Sequence, residues 1–147
     1  MAKYVLDTNV LIDALNLPTA LDALLGFLRW ALPSTFFSAV VVHELAAGTS
    51  TTRQKDLLDQ QIAGPFARRG RVFAPSAQAW QRAGGLLAQG HRAPTAAGLN
   101  DLLLAVSSRE LGLTIISHDR GVRTLAGLVP GLRVVSPFPM PLSQSGA

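Results

Sequence analysis

Cysteine is absent from this 147-residue chain. Its absence excludes disulfide bonds, zinc sites built on thiolates, and cysteine nucleophiles. The chain also lacks the run of about 18 apolar residues that a membrane-spanning helix needs. A secretory signal is not expected either, because Asp7 and Asp13 interrupt the apolar stretch near the first residue. We therefore expect a soluble, cytoplasmic protein without membrane contact.

Acidic residues are scarce in the chain. Nine Asp and Glu stand against 13 Lys and Arg, which gives a formal charge of +4 and a pI near 10.7. A basic surface favours contact with nucleic acid or another polyanion, but a merely basic protein explains the charge alone equally well. Apolar residues make up 48% and charged residues 15%, a balance that indicates a folded globular protein rather than disorder.

Short apolar runs alternate with helical patterns along the chain. The patterns predict strands at 4–6, 36–38, 71–75, 113–117 and 133–135. Helices are predicted at about 8–18, 20–31, 38–44, 52–62, 76–89, 99–111 and 122–125, with a loop over 90–98. Strands separated by helices predict an α/β fold, with a mostly parallel sheet of about four to five strands and helices on both faces. We expect one domain over 1–138 and a Pro/Ser-rich, poorly ordered tail over 139–147.

Four acidic residues lie in apolar surroundings, where a carboxylate needs a reason. They are Asp7, Glu44, Asp101 and Asp119. Asp7 and Asp119 directly follow apolar strands, and ligands of parallel sheets bind beyond the carboxyl ends of the strands. Two carboxylates about 5 Å apart repel by about 3 kcal/mol at an effective dielectric of about 20. Bound Mg²⁺ or Mn²⁺ would relieve this repulsion and activate water for phosphodiester hydrolysis.

Each of these acids also has a purely structural interpretation. Asp7 can cap the first helix, Asp101 can interact with a helix dipole, and Asp119 can open a turn. Glu44 is harder to explain in this way, because Val42 and Leu45 flank it closely. Four such coincidences are less plausible together than one shared site.

The motifs around these acids resemble those of PIN-domain ribonucleases, and are most similar to the VapC-type toxins of bacterial toxin–antitoxin pairs. The resemblance runs from about residue 3 to Phe138. The matching motifs are strand-Asp7-Thr8-Asn9, Ser38-x₅-Glu44-Leu45-x-x-Gly48, Asn100-Asp101-x-Leu103-Leu104-Ala105 and Ile115-Ile116-Ser117-x-Asp119.

The resemblance implies an endoribonuclease that depends on Mg²⁺ or Mn²⁺ and leaves 5′-phosphate and 3′-hydroxyl ends. The catalytic and metal-binding residues it implies are Asp7, Glu44, Asp101 and Asp119. Thr8, Asn9 and Ser117 would orient these groups by hydrogen bonds, and Ser117 stands where the family usually has Thr. The implied partners are RNA (a transfer or ribosomal RNA among the candidates), a VapB-like antitoxin whose tail blocks the site, and a second copy of the chain.

Basic residues near the implied site are candidates for binding RNA phosphates. We predict this role for Arg120 and Arg123, which closely follow Asp119, and for Arg92. His118 replaces an Arg that is more usual in the family, and the family's aromatic residue shortly after the fourth acid is missing. Both departures affect the expected geometry around Asp119.

Two other functions remain open from the sequence. A PIN-like module could bind RNA or protein without cutting, although the presence of all four acids argues against it. A phosphatase with an aspartyl nucleophile is a third interpretation. Such enzymes use a second Asp two residues after the first as acid and base, and this chain has Asn9 at that position.

Overall fold

A computed structural model of the chain describes residues 2–89 and 96–141. Five parallel strands form one sheet in the order β3-β2-β1-β4-β5. The strands are β1 (Tyr4–Leu6), β2 (Thr35–Ser38), β3 (Val72–Phe73), β4 (Thr114–Ile116) and β5 (Arg133–Val135). The predicted α/β fold with a parallel sheet is confirmed.

Helices connect the strands along the described chain. They are α1 (Thr8–Asn16), α2 (Pro18–Ala31), α3 (Ala39–Gly48), α4 (Thr52–Leu57), α5 (Gly64–Arg68), α6 (Ala77–Ala88), α7 (Ala96–Leu111) and α8 (Arg120–Ala126). A short 3₁₀ turn occupies Leu32–Ser34, and Leu58–Ala63 is a π-helical segment. Residues 139–141 carry no regular structure, and the rest of the predicted tail lies outside the described residues.

Strand β1 lies in the centre of the sheet, and the direction of chain travel reverses beside it. The chain first moves outward from β1 to β2 and β3, then returns to place β4 on the other side of β1. Right-handed connections put the helices of the outward and return paths on opposite faces of the sheet. The helices pack mainly within these two groups, α1 with α2 and α3, and α7 with α6 and α8, while α3 also contacts α7. The point between β1 and β4 is therefore the switch point, where open α/β sheets bind ligands.

Helix α7 is the most deeply buried helix in the described chain. Every residue from Leu102 to Ser108 is buried, so the helix packs on several sides at once. Leu104 joins the main core, and the neighbouring residues of α7 pack into two smaller clusters with α6. Among the described helices, none has both the length and the apolar character to cross a membrane.

Several predicted boundaries differ from the structure. Helix α2 begins at Pro18 rather than near residue 20, α3 continues to Gly48 beyond residue 44, and α8 covers Arg120–Ala126 rather than 122–125. Helix α7 begins at Ala96 rather than near residue 99, so part of the predicted loop over 90–98 is helical and 90–95 lies outside the described residues. The predicted strand over 71–75 contains only Val72–Phe73. The helix predicted over 52–62 ends at Leu57 and continues as the π-helical segment into Gly64.

Gly64 follows the π-helical segment at a position that has no room for a side chain. A Cβ there would lie 2.1 Å from the carbonyl oxygen of Asp59, whereas a Cβ at Gly84 in α6 would meet nothing within 4 Å. We expect Gly64→Ala to lower the free energy of unfolding, because the backbone must shift. Gly84→Ala is the matched control and should raise it by about 0.5–1 kcal/mol. Urea denaturation of both variants checks this, and equal effects of the two substitutions would contradict it.

Candidate functional site

The carboxyl ends of β1 and β4 bring polar side chains together at the switch point. The Asp7 N–H donates to the Ile116 carbonyl at 3.0 Å, and the Ser117 N–H donates to the Val135 carbonyl at 3.0 Å. These bonds extend the strand pairing by one residue on each strand. Asp7 and Ser117 are therefore held by the sheet itself, directly before the chain turns away from it.

Asp7 is the buried carboxylate of this edge, with only 3% of its surface exposed. As the N-cap of α1 it accepts the Thr8 N–H on Oδ1 at 2.7 Å. Its Oδ2 accepts the Ser117 hydroxyl at 2.8 Å and the Asn9 side-chain amide at 3.3 Å. Asp7 thus caps a helix, as its structural interpretation predicts, while its second oxygen takes part in a separate polar network.

Ser117 is the centre of that network and is fully buried. A hydroxyl has one donor and two acceptor positions. Ser117 donates to Asp7 and accepts from the Asn9 amide at 3.0 Å and from the Asp119 N–H at 2.9 Å. The Asn9 carbonyl oxygen in turn accepts the His118 N–H at 3.2 Å. All hydrogen-bonding positions of the hydroxyl are used, so its orientation is fixed.

Glu44 reaches the same edge from α3. Ser38 ends β2 and caps α3 by accepting the Val40 N–H at 3.2 Å, which orients the helix from the sheet. One turn further on, Glu44 Oε1 accepts the Thr8 hydroxyl at 2.8 Å. Thr8, the residue after Asp7, therefore connects the start of α1 to the second carboxylate. The sequence predicts an orienting role for Thr8 but does not identify Glu44 as its partner.

The remaining two acids lie on either side of β4 along the chain. Asp101 lies near the start of α7 and is partly buried. Asp119 is exposed and caps α8, accepting the Gly121 N–H on Oδ1 at 2.8 Å. Asp119 thus opens a helix, as its structural interpretation predicts, and its own N–H is held by the Ser117 hydroxyl.

The four carboxylates interact electrostatically. Burial raises the pKa of Asp101 to about 7, and the charges of Asp7, Asp119 and Glu44 contribute to the increase. Burial also raises the pKa of Asp7 above its ordinary value. The hydrogen bonds from Ser117 and Thr8 oppose this second shift, while the Asp119 and Glu44 charges add to it. The sequence-predicted acids are therefore brought within electrostatic range of one another.

This cluster has the chemistry of a cation site, although its present geometry is not that of a closed one. Within the described ranges, no group of three or more His, Asp or Glu side chains is arranged to hold a metal ion. The same part of the chain places no Lys or Arg nitrogen within 4.0 Å of these carboxylates, since its single ion pair joins His118 to Asp13. Carboxylate oxygens are the preferred donors of Mg²⁺ and Mn²⁺. The donor set fits a hard divalent cation that would replace the missing positive charge.

The predicted RNA-binding arginines lie beside this edge or outside the described residues. Arg120 and Arg123 are exposed in α8, and the Arg123 guanidinium donates to the Ser136 hydroxyl. Arg92 lies outside the described residues. The structure thus leaves the Arg120 side chain beside Asp119 and exposed to solvent.

The sequence places Asp13 one helical turn after Asn9, where it could support the site but is better interpreted as a surface carboxylate. The structure places it closer to the site than that interpretation predicts. Its Oδ2 lies 3.6 Å from His118 Nε2. The only sequence signal for this contact is the helical spacing from Asn9 to Asp13, which puts both residues on one side of α1. The partner, His118, is more than 100 residues away along the chain. Its backbone N–H also donates to the Asn9 side chain, so two contacts join the loop after β4 to α1.

Solved structures with similar folds include VapBC, FitAcB and one described as a toxin–antitoxin complex. DNA-bound VapBC from Salmonella typhimurium is 23% identical, with a TM-score of 0.65, and the match covers 92% of this chain and 98% of that chain. FitAcB from Neisseria gonorrhoeae is 22% identical, with a TM-score of 0.65 and coverage of 93% and 99%. A toxin–antitoxin complex from Klebsiella pneumoniae is 20% identical, with a TM-score of 0.57 and coverage of 94% and 100%. At these identities the likeness shows the fold.

Sequence comparison identifies the family. No curated protein sequence matches the chain significantly. The family model described as PIN domain matches residues 4–128, which include β1 to β4 and all four acids of the site. The chain therefore belongs to the PIN-domain family.

Proposed function

We propose that the chain is a metal-dependent endoribonuclease of the VapC toxin type. One observation carries the proposal: four interacting carboxylates meet at the switch point of a parallel sheet, and no basic partner among the described residues compensates them. Asp7, Glu44, Asp101 and Asp119 would hold Mg²⁺ or Mn²⁺. The bound cation would lower the pKa of a water molecule and neutralise charge on a phosphodiester.

The residues that hydrogen-bond to the carboxylates would hold them in position for this reaction. Ser117 fixes the Asp7 carboxylate, and Asn9 holds Ser117 and the loop of His118 in place. Thr8 orients the Glu44 carboxylate. Such hydrogen-bonded partners of metal ligands keep the donor atoms in position before the metal arrives. The guanidinium of Arg120 would bind phosphate beside Asp119.

The fold neighbours support the finer part of the proposal. The structure from Klebsiella pneumoniae pairs a toxin with an antitoxin by its description, and VapBC has a similar fold. We infer a VapB-like antitoxin as the partner of this chain and a homodimer as its assembly. Exposed apolar side chains provide surface for such contacts, among them Leu17, Trp80 and Leu111.

The first prediction concerns Asp7. Asp7→Asn should lower RNA cleavage by more than the roughly 10- to 100-fold typical of losing a hydrogen-bonding partner of a metal ligand. The measurement incubates antitoxin-free protein with total cellular RNA and Mn²⁺, and maps new ends by ligation that requires a 5′-phosphate. Asp22→Asn, an exposed carboxylate of α2, is the matched control and should cut like the wild type.

The result separates the nuclease from its alternatives. Wild-type cuts that vanish in EDTA and in Asp7→Asn would support the proposal. Cleavage by Asp7→Asn at the wild-type rate would show that Asp7 is not catalytic. RNA binding without any metal-dependent cut would favour the non-catalytic binding module.

The second prediction concerns Ser117. Ser117→Ala removes the hydroxyl that fixes Asp7 and Asp119, so cleavage should fall by roughly 10- to 100-fold. Ser107→Ala is the control, because Ser107 is also a buried serine but donates only to the Leu103 carbonyl of its own helix. Initial cleavage rates with saturating Mn²⁺ should separate the two variants. A rate loss of the same size in both would contradict a specific role for Ser117.

The third prediction links metal, pH and stability. Asp101 has an ordinary pKa of 3.8 when unfolded and a pKa of about 7 in the fold. Between these values the folded state holds a proton that the unfolded state has lost, so the stability of metal-free protein falls as pH rises through this window. Above about pH 7 the Asp101 carboxylate is ionised, and a cation should stabilise the fold most strongly.

Thermal unfolding tests this at about pH 5 and about pH 8. Mn²⁺ relative to EDTA should raise the Tm at the higher pH and change it little at the lower one. Asp101→Asn should be more stable than the wild type in EDTA at the higher pH, because it removes a buried charge. A Tm increase of equal size at both pH values, retained in Asp101→Asn, would contradict the assignment.

A further inference from the structure

A cavity of about 300 Å³ opens next to the carboxylate cluster. It lies between the outer sides of α1 and α2, the residue before Asp119, and the segment after β5. Its lining residues are Val10, Asp13, Thr19, Ala20, Ala23, His118, Pro137 and Phe138. None of the residues assigned to catalysis above lines this cavity, so it is a separate feature beside the site.

The cavity and the carboxylate cluster share the same structural supports. Helix α1 begins at its cap Asp7 and carries Asp13 five residues after Thr8, about 7.5 Å along the helix axis. On the other side, His118 directly precedes Asp119, and its N–H is bound to Asn9. A ligand in the cavity would therefore lie against the same helix and loop that carry the carboxylates, about one to two helical turns from Asp7.

The walls of the cavity are apolar, and its rim carries one polar pair. Val10 is buried, and the small side chains of Ala20 and Ala23 leave the space open. The Phe138 ring is held in place by stacking on Phe27, with ring centroids 5.1 Å apart at 24°. An aromatic wall with small apolar neighbours suits a flat ring, because bases of single-stranded RNA stack on such surfaces.

The polar pair indicates how a flat ring would be recognised. The Asp13 carboxylate lies 3.6 Å from His118 Nε2, and the two side chains are 46% and 54% exposed. An ionised carboxylate only accepts hydrogen bonds, so it pairs with the exocyclic amino groups of adenine, cytosine and guanine. Uracil has one N–H on its ring, but that group lies between two carbonyl oxygens, which the carboxylate repels. No Lys or Arg lines the cavity, so its lining does not favour a phosphate there.

We propose that this cavity receives the base of a nucleotide adjacent to the cleaved phosphodiester, and that Asp13 selects bases with an exocyclic amino group over uracil. The proposal rests on the proposed nuclease function for the meaning of the base preference. Binding of a base to the cavity is independent of cleavage and can be measured separately.

The first arm of the test uses nucleosides, which carry no phosphate and need no metal. Adenosine, cytidine, guanosine and uridine are titrated into ¹⁵N-labelled wild-type protein in EDTA. We expect amide shifts at Thr19, Ala20, His118 and Phe138 with the amino-bearing nucleosides, and about tenfold weaker binding of uridine. Ala23→Leu should abolish the shifts by filling the cavity. Ala67→Leu, an exposed alanine of α5 outside the cavity, should leave them intact.

The second arm measures cleavage preference. Short RNAs that differ only in the base beside the cut are compared with Mn²⁺ for wild type and Asp13→Asn. An Asn side chain can donate as well as accept, so Asp13→Asn should reduce the discrimination against uracil by about tenfold. Discrimination against uracil that stays unchanged in Asp13→Asn would overturn the selecting role.

The two arms distinguish the failure of the pocket from the failure of the nuclease. Nucleosides that cause no shift at the cavity would overturn the proposal even if the protein cuts RNA. Shifts at the cavity that Ala23→Leu abolishes, in a protein that cuts no RNA, would support the base pocket and overturn the nuclease. Uridine binding as tightly as cytidine would overturn the selection by Asp13.

Discussion

The hydrogen bond from the Ser117 hydroxyl to the Asp7 carboxylate is the interaction on which the site depends. It connects residues 110 positions apart, at the ends of the two strands that flank the switch point. Because the Ser117 hydroxyl also accepts from Asn9 and from the Asp119 N–H, one side chain fixes two acids and the start of α1. Without it, Asp7 would be a buried carboxylate held only through its other oxygen and the Asn9 amide.

The site opposes the stability of the fold that supports it. Burial and three neighbouring charges disfavour the ionised form of Asp101, whose pKa rises to about 7. The surrounding structure must offset this, and α7 does so by burying every residue from Leu102 to Ser108 immediately after that acid. A carboxylate directly before the buried part of a helix is a local conflict of the kind that proteins retain at functional sites. A bound cation would compensate the charge and relieve the repulsion between the carboxylates, and this relief would contribute to the free energy of cation binding.

The sequence predicted the parts of this molecule that local patterns determine. The apolar runs of β1 and β4 are short, bounded by polar residues, and buried, so their position was readable. The sequence does not predict the π-helical segment, because no local residue pattern distinguishes it from the helix predicted over 52–62. The early start of α7 at Ala96 was also missed, since Gly98 interrupts the helical pattern there.

The four acids of the candidate site were recognised from their apolar context, but their partners were not. The Thr8–Glu44 bond joins residues 36 positions apart, and the Asp13–His118 contact depends on where the loop after β4 meets α1. Such pairings follow from strand order and helix orientation, which a single sequence does not reveal. The fold had to be known before Asp13 could be separated from an ordinary surface carboxylate.

Helix α1 gives these observations a common physical basis. Its cap is Asp7, its first turn carries Thr8 and Asn9, and one turn later it presents Asp13 to the cavity. One rigid helix anchored at the sheet edge therefore sets the distance between the carboxylates and the cavity. Chemistry on a phosphodiester needs that distance to be fixed, because a misplaced substrate loses much of the benefit of orientation. The same rigidity would turn recognition of one base into a choice of which phosphate is cut.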